Sequence, residues 1–466
     1  MDARLDEKPF DRQLWGIAVV DGKGKLLYGR NADRLFIPAS NTKLVVSAAA
    51  AVLLDPDFTV RTSVYAGGPV VDGVVQGDLV LYGRGDPSFS RRCYHVDTTT
   101  AGACVLDAGF GVAALADTLA ARGIRAVAGD VVGDGSWFDA QLVHPGWEAY
   151  DLNWWYAAPV SGLGYNDNAI DITYAPGAAE GAPAVLSFIP DFGDVELENR
   201  TRTVAADSQE TIDFFRDPGT MRIRAEGTVK AGQRPRTEHF ALPEPSRYAA
   251  QALRAALAAR GIAVQGGTRA TTDSTLHEAA RRGPALAEVA GRPARDWIFP
   301  ILNTSQNWYA EMVLKQLGRQ HGRAGSWEEG LRVERRFLID SVGIDSTQFA
   351  LSDGSGLSAA NLVTPLAFTR LLQYMRRHPR WPVFAAGLPQ SGNTGSLRNR
   401  YRGTPLEGRV RAKTGSIART NTLSGYVELA DGETLTFSVQ ANHHTQPTRA
   451  ILARIDSVVV EMAKGR

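Results

Sequence analysis

Cysteine is almost absent from this chain, with Cys93 and Cys104 the only two in 466 residues. A framework of several disulfides is therefore excluded. The nearness of the pair in RRCYHVDTTTAGACVL leaves one local disulfide and two free thiols both open. Long apolar runs are also lacking. The longest, Leu44 to Leu54, is about half the roughly 20 residues that a membrane helix needs, and it contains Ser47. Neither sign of charge is in excess, since 51 basic residues face 50 acidic ones for a net charge of +1. No dense Lys/Arg stripe with interleaved aromatics occurs, which argues against a nucleic-acid partner. None of the eight histidines sits in a nucleophile-elbow context, and neither G-x-S-x-G nor H-E-x-x-H is present, so a Ser-His-Asp hydrolase or a zinc protease has no marked site. The polar start MDARLDEKPFDRQL has no leader-like apolar core, which fits either a cytoplasmic chain or one whose leader has been removed.

What is present is an ordinary globular composition, 44% hydrophobic and 22% charged, in a chain long enough for two or three domains. LWGIAVVDGKGKLLYGRN reads as a hairpin around Asp21-Gly22-Lys23-Gly24. An alanine-rich helix follows. From about Phe58 short Val- and Gly-rich strands take over, interrupted by helical patches. After about Leu286 long helical patterns return, one of them with Thr364-Pro365 as cap and first turn. GRVRAKTGSIARTNTLSGYVELADGETLTFSVQAN then reads as three strands, with Asp431-Gly432 turning the last pair. Pairing of the hairpin with these strands would make the two ends of the chain one α/β domain and the middle an insertion.

Three short motifs carry chemistry. Ser40 and Lys43, three apart at the start of the alanine-rich helix, share a face with Cβ atoms roughly 5 to 6 Å apart. A serine hydroxyl needs a base, and a lysine is one only when neutral, which burial and a nearby cation favour. A helix N-terminus at Ser40 also offers a backbone N–H to an oxyanion. NTSQNWYAE places Ser305 and Asn307 at a helix start, and RAKTGSIA places Lys413, Thr414 and Gly415 on a strand, where Gly415 admits close approach of a substrate backbone. His443-His444 would point to opposite faces of a strand, a poor metal pair. Arg84-Gly85-Asp86 reads as a Gly-Asp-Pro turn. Trp147, Trp154, Trp155 and Tyr156 read as core packing between inserted segments rather than a ligand wall.

S-x-x-K, S-x-N and K-T-G in this order resemble the signature of penicillin-binding proteins and serine β-lactamases. The 265 residues from Ser40 to Ser305 (305 minus 40), together with PASNTKL, GRGDPSF, APVSGLGYNDNAIDI, SQNWYAEMVLKQLG, LSDGSGLSAANLVTP and RAKTGSIARTNTLSGYV, narrow the resemblance. The chain is similar to the D-alanyl-D-alanine carboxypeptidase/endopeptidase family of low-molecular-mass penicillin-binding proteins. That resemblance implies a multidomain α/β fold. A five-stranded antiparallel sheet flanked by helices would carry a long, mostly β insertion, with catalytic residues 1–62 and 285–466, an inserted β-rich domain of 63–92 and 160–284, and a second inserted domain of 93–159. It implies a serine DD-peptidase acting on peptidoglycan stem peptides, blocked covalently by β-lactams, with no cofactor or metal, periplasmic or secreted; a homodimer is left open.

By the same resemblance Ser40 is the nucleophile, Lys43 its base, Ser305 a proton relay and Asn307 a positioner. Lys413 supplies positive charge, the Thr414 and Ser416 hydroxyls bind a carboxylate beside Gly415, and the N–H groups of Ser40 and Ser416 form the oxyanion hole. Ser416 and Gln306 depart from the residues many relatives carry. The rival readings are a serine β-lactamase, which the long separation disfavours, and an inactive wall-binding scaffold, which has no need of all these residues.

Overall fold

The computed structural model describes residues 1–89, 110–217 and 220–464; Cys93 and Cys104, and with them the disulfide question, lie outside the described residues. Near the N-terminus, β1 (Leu14–Val20) and β2 (Leu26–Arg30) form the expected hairpin. Asp21 closes the turn by accepting from the N–H groups of Lys23 and Lys25. The alanine-rich helix α1 (Lys43–Leu53) follows a short 3-10 turn, Ala39–Thr42. Far along the chain come α2 (Asn307–His321) and α3 (Pro365–Arg377), then β3 (Val410–Ile417), β4 (Thr420–Glu428), β5 (Thr434–Asn442) and α4 (Thr448–Lys464). Thr364 caps α3 by accepting from the N–H of Ala367, as its sequence predicts.

The five strands make one antiparallel sheet in the order β2-β1-β5-β4-β3. Its central join spans almost the whole chain, with Trp15 opposite Ala441 and Ile17 opposite Val439. β4 and β5 are buried on both faces because helices cover both. Strand alternation divides their side chains. Leu423, Val427, Phe437 and Val439 pack with Ile455 and Val458 of α4. Tyr426 turns the other way, toward the core formed by α1, Trp297, Trp308 and Phe368. Every residue of α1 from Lys43 to Ala51 is buried, which explains why its sequence is apolar all round.

The middle of the chain has its own apolar core. Its largest sheet runs Thr268–Thr271, Val131–Asp134, Leu79–Tyr82, Arg61–Ala66, Ala287–Ala290. The last two strands pair antiparallel, Val64 opposite Ala287, so the chain leaves and re-enters the part built on the β2-β1-β5-β4-β3 sheet side by side. Val131–Asp134 lies between strands from 79–82 and 268–271. This differs from a separate 93–159 unit: parallel neighbours need crossover connections, and the crossovers interleave these segments. Trp147 is buried in the core around α1, whereas Trp154, Trp155 and Tyr156 are half-buried. Asp86 is buried and accepts from the N–H and hydroxyl of Ser88, as a Gly-Asp-Pro turn requires.

Candidate active site

The turn that carries Ser40 is wedged between α1 and the edge of the sheet. Ser40 lies just before the helix rather than at its first residue; it sits inside the 3-10 turn, one residue after Ala39, whose φ is +48°. The turn is held from below by polar side chains of β4. Thr422 Oγ1 donates to Pro38 O at 2.8 Å. The Asn41 amide reaches both Ser424 and β3, and in the orientation that satisfies its partners it donates to Lys413 O at 2.8 Å while its oxygen accepts from Ser424 Oγ at 2.7 Å. The buried Thr and Ser residues on these central strands are thus the scaffold of the turn.

Lys43 is fully buried, and its Nζ has three neighbours: Ser40 Oγ at 3.0 Å, Asn307 Oδ1 at 2.6 Å and Ser355 O at 2.7 Å. Asn307 Nδ2 donates to Tyr156 O at 2.7 Å, which orients the amide so that its oxygen faces the lysine. Two of the three neighbours therefore only accept. A neutral amine has two N–H groups and one lone pair. With the N–H groups committed to Asn307 and Ser355, the lone pair is left for the Ser40 hydroxyl. Burial brings the Lys43 amine down to about 7, partly offset by the charges of Glu311 and Asp353.

Ser305 and Lys413 form the second half of the site. Ser305 lies before α2 rather than in it, with φ at +60°, and Gln306 caps the helix by accepting from Trp308 N at 2.9 Å. Side chains other than glycine reach this backbone region at a cost of about 1 to 3 kcal/mol. Lys413 Nζ, fully buried, donates to Ser305 Oγ and to Thr414 O, both at 2.8 Å. Burial, and then the charge of Lys43, push the Lys413 amine well below the ordinary lysine value.

β3 is the edge strand of the sheet; its first residues are covered by 389–391, with Ser391 N–H donating to Val410 O at 2.9 Å and Ala412 N–H to Pro389 O at 3.1 Å, and Thr414–Ser416 lie beyond that cover. Thr414 Oγ1 donates to Ser396 Oγ at 2.7 Å, and the exposed Ser416 Oγ accepts from Asn421 Nδ2 at 3.0 Å. Gly415 differs from its expected role. A Cβ there would lie 2.2 Å from Thr422 Oγ1, 2.7 Å from Pro38 O and 3.0 Å from Ser40 N. The missing side chain makes room for the turn that carries Ser40, and so lets Ser40 N and the edge of β3 come together.

All eight residues singled out from the sequence thus lie along the cleft between α1, α2 and β3. Sequence reasoning missed the carbonyls of Tyr156 and Ser355, because a backbone acceptor carries no residue signature. It also missed Glu311, four residues after Asn307 on the same face of α2, whose buried carboxylate was detectable as a lone acid in an apolar helix face. His443 follows β5 with φ +57° and His444 Nδ1 lies 3.1 Å from Gln446 O; among the described residues no group of three or more metal-binding side chains occurs.

The family model of the D-Ala-D-Ala carboxypeptidase 3 (S13) family matches residues 1–462. A D-alanyl-D-alanine carboxypeptidase of Actinomadura sp. (strain R39) is 34% identical over all of this chain and 84% of its own length. The fold is similar to the crystal structure of penicillin binding protein 4 from Haemophilus influenzae, with a TM-score of 0.83 at 22% identity, covering 99% of this chain and 98% of that one. A second crystal structure of that Haemophilus protein, complexed with a novel β-lactam, is similar at a TM-score of 0.78, with 21% identity and 99% of both chains covered.

Proposed function

Because the chain belongs to the D-Ala-D-Ala carboxypeptidase 3 (S13) family, it is a serine-type DD-peptidase, and we propose that Ser40 is the nucleophile and Lys43 its general base. The observation that carries this reading is the amine whose two N–H groups are taken by Asn307 and Ser355 while its lone pair is left to Ser40. Ser40 Oγ attacks the carbonyl carbon of the penultimate D-Ala and its proton passes to Lys43 Nζ. The oxyanion that forms is received by the N–H groups of Ser40 and Ser416, which the absence of a side chain at Gly415 allows to converge. Collapse breaks the C–N bond as Ser305, its hydroxyl held by Lys413, gives its proton to the leaving amine and takes the Ser40 proton from the Lys43 ammonium in its place, so that Lys43 is neutral again. Water then attacks the ester, gives its proton to Lys43, and Ser40 recovers its own. Every proton and electron pair is carried by these groups without a metal or organic cofactor.

Thr414 and Ser416 receive the carboxylate next to the leaving amine. A carboxylate brought to this edge supplies the counter-charge that buried Lys413 lacks, and raises its proton affinity at the moment it is needed. Both a terminal D-Ala and a cross-linked diamino acid carry such a carboxylate beside the scissile bond, so the geometry supports carboxypeptidase and endopeptidase action alike. β-Lactams fit the same site, since their strained amide presents an acyl donor and a neighbouring carboxylate. The catalytic unit in this reading is 1–62 with 285–466. Its substrate, the peptidoglycan stem peptide, places the protein outside the cytoplasmic membrane, as a periplasmic or secreted enzyme; among the described residues no helix is long and apolar enough to cross a membrane. Neither nucleic acid nor a second copy of the chain enters this mechanism.

Mass spectrometry after incubation with benzylpenicillin tests the assignment. One benzylpenicilloyl group is expected on the native protein and none on Ser40→Ala. An adduct that persists on the variant, or is missing from the native protein, overturns it.

A further inference from the structure

A buried loop, 353–358, runs beneath the nucleophile turn. Its Ser355 carbonyl accepts from Lys43 Nζ, and at Gly356, with φ +80°, a Cβ would stand 1.9 Å from Ala39 O. Two buried carboxylates hold the loop. Asp353 accepts from the N–H groups of Gly356 and Ser358, both at 2.7 Å, from Asn361 Nδ2 at 2.8 Å and from Trp147 Nε1 at 3.0 Å. Glu311 accepts from Ser355 N at 2.7 Å, Gly354 N at 3.0 Å and Trp327 Nε1 at 2.8 Å. All three of these Glu311 partners are N–H donors with no acceptor to offer, and such donors favour the charged form of a carboxylate against its burial.

We propose that Glu311 is a positioning residue for Lys43: its carboxylate pins the N–H groups of Gly354 and Ser355 so that the Ser355 carbonyl faces the amine, and its charge governs when Lys43 gives up its proton. The inference rests on Lys43 as the base. An amide at 311 would turn an N–H₂ group toward N–H donors, so only a carboxylate satisfies them all. The pair shares its surroundings with other ionisable groups. Asp353 on the loop adds a second negative charge, while on β3 the charge of Lys43 pushes the Lys413 amine down. Lys315, one turn along α2, is paired with Asp139 at 2.7 Å and lies over the Trp327 ring. His144 faces Asp353. Glu334, on the helix Trp327–Arg336, is fully buried with neither oxygen hydrogen-bonded among the described residues, and burial, then the charges of Glu311 and Asp353, push its carboxyl well above the ordinary value. Burial and then the charge of Asp353 push Glu311 itself up to about 7, against the pull of its three N–H donors.

The experiment follows the rate of acylation by a fluorescent penicillin from pH 5 to 9. In Glu311→Gln the loss of the negative charge moves the acid limb to lower pH by about one unit. The plateau falls by about tenfold or more as the Ser355 carbonyl loosens. Glu334→Gln, at a carboxyl that makes no hydrogen bond to the 353–358 loop and is not among the charges acting on Lys43, leaves the limb where it is. A merely structural role would lower the Glu311→Gln plateau and leave the limb in place, and that result overturns the proposal, as does an equal shift in Glu334→Gln. If Glu311→Gln does not fold, Trp327→Phe removes one donor from the carboxylate and keeps a ring beneath Lys315. Its limb is expected to move the same way by less, and an unmoved limb again overturns the proposal. A native protein acylated on Ser40 alongside an unmoved limb rejects only the role of Glu311; failure of Ser40 acylation rejects the base assignment beneath it.

Discussion

A single methyl group at position 415 separates the two explanations for the glycine of the K-T-G motif, room for substrate or room for the nucleophile turn. In Gly415→Ala the new Cβ falls 2.2 Å from Thr422 Oγ1, 2.7 Å from Pro38 O and 3.0 Å from Ser40 N. Carbon contacts of this kind become comfortable at about 3.5 Å, so β3 and the turn must separate by about 1 Å. Two of the three atoms belong to backbone, and the third is the hydroxyl that bonds Pro38 O at 2.8 Å. Overpacking of this sort costs about 1 to 3 kcal/mol. The larger effect falls on the rate, because the displaced pair includes Ser40 N and the strand that carries Ser416 N. An oxyanion donor moved out of place costs about 10² to 10³ in rate. Acylation by a fluorescent penicillin is therefore expected to slow by about 10²-fold or more, in a protein whose thermal melt still shows one folded state. Gly22→Ala is the control, since its Cβ would meet nothing nearer than Thr434 O at 3.9 Å. If Gly415→Ala acylates within about threefold of the native rate while remaining folded, the close approach of turn and strand is not what aligns the oxyanion donors, and this account of the glycine fails.

Three further outcomes can be measured. The native acylation rate rises with pH through about 7, because only the deprotonated Lys43 accepts the Ser40 proton; a rate that stays flat down to pH 5 contradicts the lysine base. Asn307→Asp puts a carboxylate in place of the oxygen 2.6 Å from Lys43 Nζ, so the same limb moves to higher pH by about one unit or more, the opposite direction to Glu311→Gln; a limb that moves down or stays rejects the clamp. Thr364→Ala removes the hydroxyl that caps α3 at Ala367 N and is expected to cost about 1 kcal/mol of stability by denaturant titration with the acylation rate unchanged.

Much of this arrangement was legible because it is local. Asp21 and Gly24, and later Asp431 and Gly432, mark turns whose chemistry is confined to a few residues, and both hairpins form where they stand. Thr364-Pro365 marks a helix start by the same local logic. The apolar sequence after Lys43 announced a helix buried on every side, and with it a dry amine. Less legible was the exact seat of each serine. Both Ser40 and Ser305 lie just outside the helices they seemed to begin, because the backbone takes positive φ at Ala39 and at Ser305 itself, a conformation that no side-chain pattern at those positions advertises.

The sequence by itself determined the chemical inventory: a serine and a lysine at one spacing, a second serine and an asparagine at another, a lysine-threonine-glycine strand, and the order in which they occur. Only the tertiary structure decided how they act together. It set the Ser355 and Tyr156 carbonyls around Lys43 and Asn307, gave Gly415 to the Ser40 turn, and placed Glu311 under the loop whose Ser355 carbonyl faces Lys43. Each of those contacts joins segments from different parts of the chain, and several rest on backbone atoms that all residues share. Their geometry is set by sheet register and core packing, which turn residues hundreds of positions apart into neighbours.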